Sequence, residues 1–326
     1  MHIDTSNRVT RPLERSPRMI QDDVQFTHSA FLYDSIDDYR DFLVRFIREG
    51  VERGEAIAMA ARTDRVDLMR EALGGDAGQV RFQQTEEWQI RPVRSIGVWS
   101  RLLRTAATAG RPSARLINEI DFQGQTPSWV RAESACNASL AGLNGHLLCP
   151  YDRSALPAEL ITDARRTHHR VHDGVWQRSD EFVEPRTLLA AIEEPPFPAA
   201  GDPLVDVPVA ESVADLRAHL RNRATAEGWL PPDRVEVLIL ALSELVTNGI
   251  RHGGAHRDLR VWLNPGAVVC EVADDGPEPP GPLAGYLPPV PGIVGGMGLW
   301  LVGQICDALS VTTSGGVTRA RFALHR

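Results

Sequence analysis

The sequence contains no lysine, and all 35 of its basic residues are arginine. A Walker A loop needs a lysine on the phosphates, a pyridoxal enzyme needs one for its Schiff base, and a eukaryotic-type protein kinase needs one in its third strand. The absence of lysine therefore excludes all three classes in their usual forms. The abundance of arginine, alanine and glycine is typical of a GC-rich bacterial genome.

Cysteine is scarce and is not arranged as a disulfide or metal framework. Cys136, Cys149, Cys270 and Cys306 stand far apart without a CxxC pair, which favours reduced thiols. Long apolar runs are missing too, since no stretch approaches the roughly 18 residues that a membrane span requires. Residues 1–23 lack the apolar core of a signal peptide, so we predict a flexible tail there and a cytoplasmic protein without a membrane anchor.

An excess of positive charge is also lacking. The 43 acidic residues outnumber the 35 basic ones, and the net charge of −8 predicts no direct binding to nucleic acid. At 326 residues, with an ordinary hydrophobic fraction of 43%, the chain is long enough for two domains with separate cores. Four prolines within 193–203 disfavour a helix and favour an extended linker. We therefore predict one domain over 24–192 and a second over 204–326.

The first domain alternates between apolar strand-like runs and helical patterns, the first helix beginning near Ser35 and Asp38, which form a plausible capping pair. Strand and helix in alternation predict an α/β fold with a mainly parallel sheet covered by helices. Short strands are predicted at 26–33, 56–61, 80–83, 114–119 and 145–151, and later helices at 63–73, 93–109, 127–143 and 157–168.

The second domain has a different order. Two helices are predicted first, followed by clustered strands, and this order is typical of an α+β sandwich of two layers. The glycine- and proline-rich stretch over 276–296 is too long for a simple connection, so we predict a functional lid there. The helices are predicted at 213–227, 231–252 and 297–309, and strands at 259–264 and 267–274 and at the C-terminus.

Three polar segments follow one another in this second domain. Glu244 and Asn248 lie four residues apart on a predicted helix, so their side chains share one face. A strand then ends in the turn Asp274-Asp275-Gly276, and the run Gly-Gly-Met-Gly-Leu-Trp at 295–300 enters a helix. A lone Glu and Asn pair is more often part of a solvated stripe, but the three segments together predict a functional site.

These segments resemble the N, G1 and G2 boxes of the Bergerat-fold (GHKL, HATPase_c) ATPases, the superfamily of gyrase, histidine kinases and MutL. The resemblance implies that the domain binds ATP and Mg²⁺. It implies that Asn248 coordinates Mg²⁺, that Glu244 orients or deprotonates the attacking group, and that Asp274 accepts a hydrogen bond from the adenine amino group. By the same resemblance, Gly276 lets the backbone approach the base.

The resemblance also assigns phosphate contacts to the start of the last helix. Gly296 and Gly298 would leave the backbone free to wrap the phosphates, where helix N–H groups favour anions. Arg251 stands where relatives often carry a cation, and it would contact phosphate. Thr318 resembles the threonine that supports the adenine-binding aspartate, although an ordinary strand position explains this residue equally well.

Within this superfamily, the motif Ser-Glu-Leu-Val-Thr-Asn followed by Arg-His-Gly is most similar to the RsbW-type anti-sigma factor serine kinases. The similarity implies a STAS-type anti-anti-sigma factor as protein substrate and a sigma factor as second partner, and homodimers are common among such relatives. A two-component histidine kinase is an alternative, with His172 as candidate phosphoacceptor. A third alternative binds ATP only as a conformational ligand, and Glu278 favours it because it replaces the expected second glycine of the G1 box.

The segments Phe-Thr-His-Ser-Ala-Phe-Leu-Tyr-Asp at 26–34, Leu-Cys-Pro-Tyr-Asp at 148–152 and Ala-Arg-Arg-Thr-His at 164–168 are similar to the MEDS domain, a sensory module of regulators that include DcmR. The resemblance implies a fold like the cores of RecA- and KaiC-type ATPases. Because a phosphate-binding loop with lysine is absent, we do not expect this half to hydrolyse ATP.

Candidate ligand residues of this domain are His28, Cys149 and Asp152. They fall at predicted strand ends, where the ligand sites of open parallel sheets gather, so we predict a small-molecule sensory site there. The alternative is that His28 and Cys149 are ordinary core residues. The run from His168 to His172 has the spacing of a metal-binding pair, but we interpret it as a solvated helix face without a metal.

Overall fold

The structure, a computed structural model, describes residues 25–85, 91–122, 126–193, 196–209, 213–289 and 296–326. The predicted tail over 1–23 lies outside these residues. Within the described ranges, no helix combines the length and the apolar character that crossing a membrane would need.

A seven-stranded sheet forms the centre of the N-terminal half. Its strand order is β3-β2-β4-β5-β1-β6-β7, and every neighbouring pair is parallel except β6 with β7. The predicted mainly parallel α/β fold is therefore confirmed. The strands are β1 (Phe26–Tyr33), β2 (Ala56–Ala61), β3 (Val80–Gln84), β4 (Ala114–Asn118), β5 (Gly145–Asp152), β6 (Arg170–Asp173) and β7 (Val175–Arg178).

Helices cover both faces of this sheet, because alternate residues of each strand point to opposite sides. Phe31 and Tyr33 of β1 join the core on one face, whereas Ala30 and Leu32 join the core on the other. As predicted, Ser35 caps the first helix and accepts a hydrogen bond from Asp38 N at 3.1 Å. The helices are α1 (Ile36–Glu52), α2 (Thr63–Leu73), α3 (Pro92–Thr108), α4 (Thr126–Ser139), α5 (Ala158–Thr167) and α6 (Pro185–Ala191), with a 3₁₀ helix at Gly74–Gln79.

The interpretation of His168, His169 and His172 as a solvated helix face is wrong. Helix α5 ends at Thr167, His168 is fully buried in an extended conformation, and His172 lies on β6. The chain leaves the helix because β6 pairs in parallel with β1, and this pairing satisfies its backbone groups inside the sheet.

The C-terminal half is a two-layer α+β sandwich, as predicted. Its five-stranded antiparallel sheet has the order β11-β12-β10-β9-β8, and its helices pack their apolar faces on one side of it. The elements are β8 (Val205–Pro208), α7 (Val213–Ala226), α8 (Pro232–His252), β9 (Arg257–Leu263), β10 (Ala267–Asp274), α9 (Met297–Ile305), β11 (Ala308–Ser314) and β12 (Val317–His325).

One helix end and one strand of this half differ clearly from the prediction. The helix predicted over 297–309 ends at Ile305, because Cys306 turns to an extended conformation and β11 begins at Ala308. Strand β8 was not predicted, and it pairs with the edge of the sheet at β9. The strand has only four residues, too few to show a clear alternation of apolar and polar side chains.

The chain between the two halves lies against the outer face of the C-terminal sheet. Phe197 and Ala199 pack on a small apolar cluster that includes Trp262. Arg321 donates a hydrogen bond to Phe197 O at 3.0 Å, and Asn264 Nδ2 donates one to Pro198 O at 2.8 Å. The described part of the predicted linker contains no helix or strand and is attached to the domain that follows it.

Candidate nucleotide-binding site

The N box and the G2 box meet at Gly298. Glu244 and Asn248 lie on one face of α8, and both side chains are half-buried. A Cβ atom on Gly298 would lie 2.9 Å from Asn248 Nδ2 and 2.9 Å from Glu244 Oε2. Only a glycine leaves these two side chains in place, so the structure brings together the predicted catalytic residue, the predicted metal ligand and the helix predicted to bind phosphate.

Asp274 ends strand β10 beside the C-terminus of α8. Its Oδ1 accepts a hydrogen bond from Gly276 N at 3.0 Å, which holds the carboxylate in place. A Cβ on Gly276 would come within 2.4 Å of His252 O, so the backbone passes closely here. Thr318 lies directly opposite Asp274 on β12, and its hydroxyl is 3.1 Å from that of Thr313.

The two neighbouring aspartates differ in their partners. Asp275 accepts a hydrogen bond from His256 N, and its Oδ2 is 2.8 Å from His256 Nδ1. The hydrogen bonds from His256 lower the pKa of the Asp275 carboxyl. Asp275 thus holds His256, whereas Asp274, the residue predicted to bind adenine, holds the turn at Gly276.

The remaining predicted residues lie at the rim of this site. Gly296 is the N-cap of α9 and adopts φ 74°, a left-handed conformation that favours glycine. Arg251 and Glu278 are exposed. Gly295, the first glycine of the predicted G2 box, lies outside the described residues.

These groups fit ATP with Mg²⁺. At Gly276 and Gly298 a Cβ would collide with His252 O or with the Asn248 and Glu244 side chains, so only glycine lets the backbone approach these groups. The start of α9 presents backbone N–H groups that favour phosphate, and the oxygens of Asn248 and Glu244 are hard donors of the kind Mg²⁺ prefers.

The predicted lid packs on the N-terminal half in its described part, 277–289. Leu283 and Tyr286 are each only 4% exposed and belong to the core formed by α3, α4 and the N-terminal sheet. Ser139 Oγ donates a hydrogen bond to Tyr286 O at 2.9 Å, and Arg131 Nε donates one to the Tyr286 hydroxyl at 3.3 Å. Sequence reasoning missed this anchor, because nothing in the spacing of Ser139 or Arg131 indicates a partner so far along the chain.

Helix α9 also contacts the N-terminal half directly, through α3. Gln304 Nε2 donates a hydrogen bond to Val93 O at 3.0 Å, and a Cβ on Gly97 would lie 2.0 Å from Gln304 Oε1. At the end of α9, Arg91 forms an ion pair with Asp307. The nucleotide-site helix and the lid are therefore both attached to the N-terminal half.

Two of the three residues predicted as a sensory site come together. His28 and Cys149 lie on the paired strands β1 and β5, with His28 Nε2 3.5 Å from Cys149 Sγ. Burial, and then repulsion by His168, lowers the pKa of His28, while burial and the Glu133 carboxylate raise the pKa of the Cys149 thiol. Sequence reasoning missed Glu133, although Glu133 and Asn137 share the spacing that puts side chains on one helix face.

Asp152 lies apart from this pair, because it points to the opposite face of the sheet from Cys149. Its Oδ2 is 3.9 Å from Arg65 Nη2, and Arg65 in turn lies 3.6 Å from Glu119. Tyr39 donates a hydrogen bond to Glu119 at 2.8 Å, and burial raises the pKa of the Glu119 carboxyl. This polar group surrounds the carboxyl ends of β4 and β5, where parallel sheets bind ligands.

Comparison with known families identifies both halves by class. Residues 27–169 match the family model MEDS, described as the MEthanogen/methylotroph, DcmR Sensory domain. Residues 208–323 match the model of the histidine kinase-like ATPase domain. No curated protein matches the chain. The chain thus joins a MEDS sensory domain to a histidine kinase-like ATPase domain, a combination that supports a regulatory, kinase-like ATPase.

Proposed function

We propose that this protein is an anti-sigma factor and ATP-dependent serine/threonine kinase. Its substrate is a serine or threonine of a STAS-type anti-anti-sigma factor, and its second partner is a sigma factor. The observation that carries the proposal is the contact of Gly298 with Glu244 and Asn248. It joins the N-box motif, which resembles that of the anti-sigma kinases, to the G2 box at the start of α9.

The side chains divide the work of phosphotransfer between them. Asp274, supported by Thr318 on the neighbouring strand, holds the adenine. Asn248 holds Mg²⁺, which when bound neutralises phosphate charge. Glu244 lies beside the same helix start and accepts the proton of the attacking serine or threonine hydroxyl. The backbone of α9 binds the phosphates through its first N–H groups.

The N-terminal domain controls this site through the contacts it already makes. A small molecule bound in that domain shifts the position of α3 or α4, and these helices hold α9 and the lid. A ligand changes the kinase only if it binds the two arrangements with different free energy. The regulatory signal therefore passes through the contacts of the lid with the N-terminal domain and not through the linker.

The two alternatives have less support. A histidine kinase needs its phosphoacceptor on an exposed helical hairpin, whereas His172 lies on β6 within the sheet and packs against Phe42. A regulator that binds ATP without catalysis is suggested only by Glu278, an exposed residue.

The decisive experiment incubates the full-length protein with labelled ATP and a candidate STAS protein, and follows phosphate transfer to serine or threonine. A parallel capture experiment tests binding of a sigma factor with and without ATP. We expect transfer to the STAS protein and ATP-dependent sigma binding. Acid-labile phosphate on a histidine of the chain itself would instead establish a histidine kinase.

A further inference from the structure

Four side chains able to bind a metal converge inside the N-terminal domain. His28 from β1, Glu133 from α4, Cys149 from β5 and His168 after α5 each offer one ligand atom. These atoms all lie within 4.8 Å of one another, and all four residues are buried. In the part of the chain that the structure describes, this is the one such group of histidine, cysteine and acidic residues.

Three of the distances between these atoms are close to those of a tetrahedral ligand set, and the other pairs lie within 4.8 Å. His28 Nε2 lies 3.5 Å from Cys149 Sγ and 3.7 Å from Glu133 Oε2, and His168 Nε2 lies 3.1 Å from the same oxygen. Zinc bonds of about 2.0–2.3 Å place neighbouring ligand atoms of a tetrahedron about 3.3–3.7 Å apart. Little movement would therefore be needed to bind an ion between them.

The ring of His28 is held with an unprotonated nitrogen toward the cluster. Asn137 Nδ2 donates hydrogen bonds to Ser134 O at 3.0 Å and Thr167 O at 2.8 Å, which fixes its Oδ1 as the acceptor for His28. His28 Nδ1, 3.2 Å from that oxygen, must then carry the proton. In the neutral ring Nε2 is left with a lone pair, and it faces Cys149 and Glu133.

His168 is oriented in the same way by a different partner. Its Nδ1 lies 2.8 Å from Ala164 O, a carbonyl that only accepts, so Nδ1 carries the proton. Its Nε2 is buried, has no hydrogen-bond partner among the described residues and faces Glu133 Oε2 at 3.1 Å. Two lone pairs at this distance repel each other unless a cation or a proton lies between them.

Both histidines thus show the outer hydrogen bond that accompanies metal ligation, in which the remote ring nitrogen donates to an oxygen. Charge favours the same conclusion. A divalent ion with one thiolate, one carboxylate and two neutral imidazoles has no net charge, so it would neutralise the Glu133 carboxylate, which is only 2% exposed and accepts a hydrogen bond from the Tyr151 hydroxyl at 3.1 Å. Nitrogen and sulfur donors in a tetrahedron select zinc over magnesium or calcium.

We propose that His28, Glu133, Cys149 and His168 bind one zinc ion in a closed, four-ligand site. Because all four positions are filled by protein and the site is buried, the ion stabilises the domain rather than catalysing a reaction. It joins β1, β5, α4 and the start of β6. Helix α4 also carries Arg131 and Ser139, so the ion fixes the helix that holds the lid.

The test uses the full-length protein, with metal content measured by elemental analysis after refolding or expression with zinc. The matched pair of variants is Cys149→Ala and Cys136→Ala, since both cysteines are buried in the same core and only Cys149 belongs to the cluster. We expect about one zinc ion per chain in the unaltered protein and in Cys136→Ala. Cys149→Ala and His168→Gln should lower zinc affinity at least about 100-fold.

Cobalt substitution makes the test independent of the variants' stability. In the unaltered protein, Co²⁺ should give the intense visible bands of a tetrahedral ion and a thiolate charge-transfer band, both displaced by one equivalent of Zn²⁺. A protein that takes up neither ion overturns the proposal, as does equal metal binding by Cys149→Ala and Cys136→Ala. The cluster would then be a buried ion pair between a protonated His168 and Glu133.

Discussion

Gly298 approaches Asn248 so closely that a methyl group on it would lie 2.9 Å from the amide nitrogen. The two residues belong to different helices, and their contact sets how far the start of α9 can advance toward α8. A ligand that lies between these helices must therefore use backbone groups on one side and side chains on the other.

Gly298→Ala tests this contact directly. The added methyl group displaces Asn248 and Glu244, so we expect ATP affinity to fall about tenfold or more, a change equivalent to about 1.4 kcal/mol. Gly266→Ala is the control, because a Cβ there meets no atom within 4 Å. Calorimetric titration with Mg-ATP measures both, and equal affinities in the two variants would contradict the proposed site.

Asn248→Ala removes the residue expected to hold Mg²⁺. We expect at least about a 100-fold loss of Mg-ATP affinity, since loss of one group in a metal's environment already costs about 10–100-fold. Binding of ATP without Mg²⁺ should change much less, and this comparison separates a metal effect from misfolding. Unchanged affinity for Mg-ATP would remove Asn248 from the site.

Glu244→Gln should separate binding from chemistry. The amide keeps the size of the side chain but cannot accept a proton, so nucleotide affinity should be retained while phosphotransfer falls about 100-fold or more. Glu236→Gln is a suitable control, because Glu236 lies on the same helix and pairs with Arg221 on the exposed surface. Equal transfer rates in Glu244→Gln and the unaltered protein would refute the assigned role.

His146 should make the N-terminal domain sensitive to acid. Burial, followed by the charges of Arg115 and Arg170, lowers the pKa of His146 to about 3. Between that value and the ordinary pKa of about 6.5, the unfolded chain binds a proton that the native protein does not, so stability falls as pH falls, by at most about 1.4 kcal/mol per unit.

Chemical denaturation of the full-length protein between pH 7 and pH 4 measures this loss. His146→Gln should show a weaker pH dependence, whereas His219→Gln, an exposed position on α7, should leave it unchanged. If both variants show the same pH dependence of the free energy of unfolding, His146 does not bind protons differently in the folded and unfolded states.

Helices and strands are predicted well from the sequence where a local pattern of apolar residues determines them. The alternation of apolar runs in the N-terminal half and the long periodic helix α8 lie close to their predicted positions. The N, G1 and G2 motifs are each continuous in sequence, so their residues could be named before any contact between them was known.

Contacts between distant segments could not be predicted in this way. His168 has the spacing of a helix face, but the pairing of β6 with β1 draws the chain out of the helix and buries it. Glu133 gives no distinct sequence signal, because its neighbours Trp129, Val130 and Ala132 are buried as well and hide any polar face. The lid's partner is likewise set by tertiary packing.

The anchoring of Tyr286 leads to the last prediction. While Leu283 and Tyr286 are buried in the N-terminal core, the lid cannot move over the nucleotide without breaking its contacts with α4. If the lid closes over bound ATP, the burial of Leu283 and Tyr286 in the N-terminal core competes with that closure, and we expect only molecules in which these side chains are released to bind ATP with full affinity. Weakening the anchor should raise ATP affinity rather than lower it.

Ser139→Ala removes the hydrogen bond to Tyr286 O, and Tyr286→Phe removes the one from Arg131. Each bond is worth about 1 kcal/mol, so each variant should bind ATP up to about fivefold more tightly and exchange the amide hydrogens of 281–289 faster. Ser134→Ala is the control on the same helix, because the Ser134 hydroxyl is buried without a hydrogen-bond partner among the described residues. If Ser139→Ala and Ser134→Ala show the same amide hydrogen exchange over 281–289 and the same ATP affinity, the lid is not held by α4. Control by the N-terminal domain would then pass through the contact of α3 with α9.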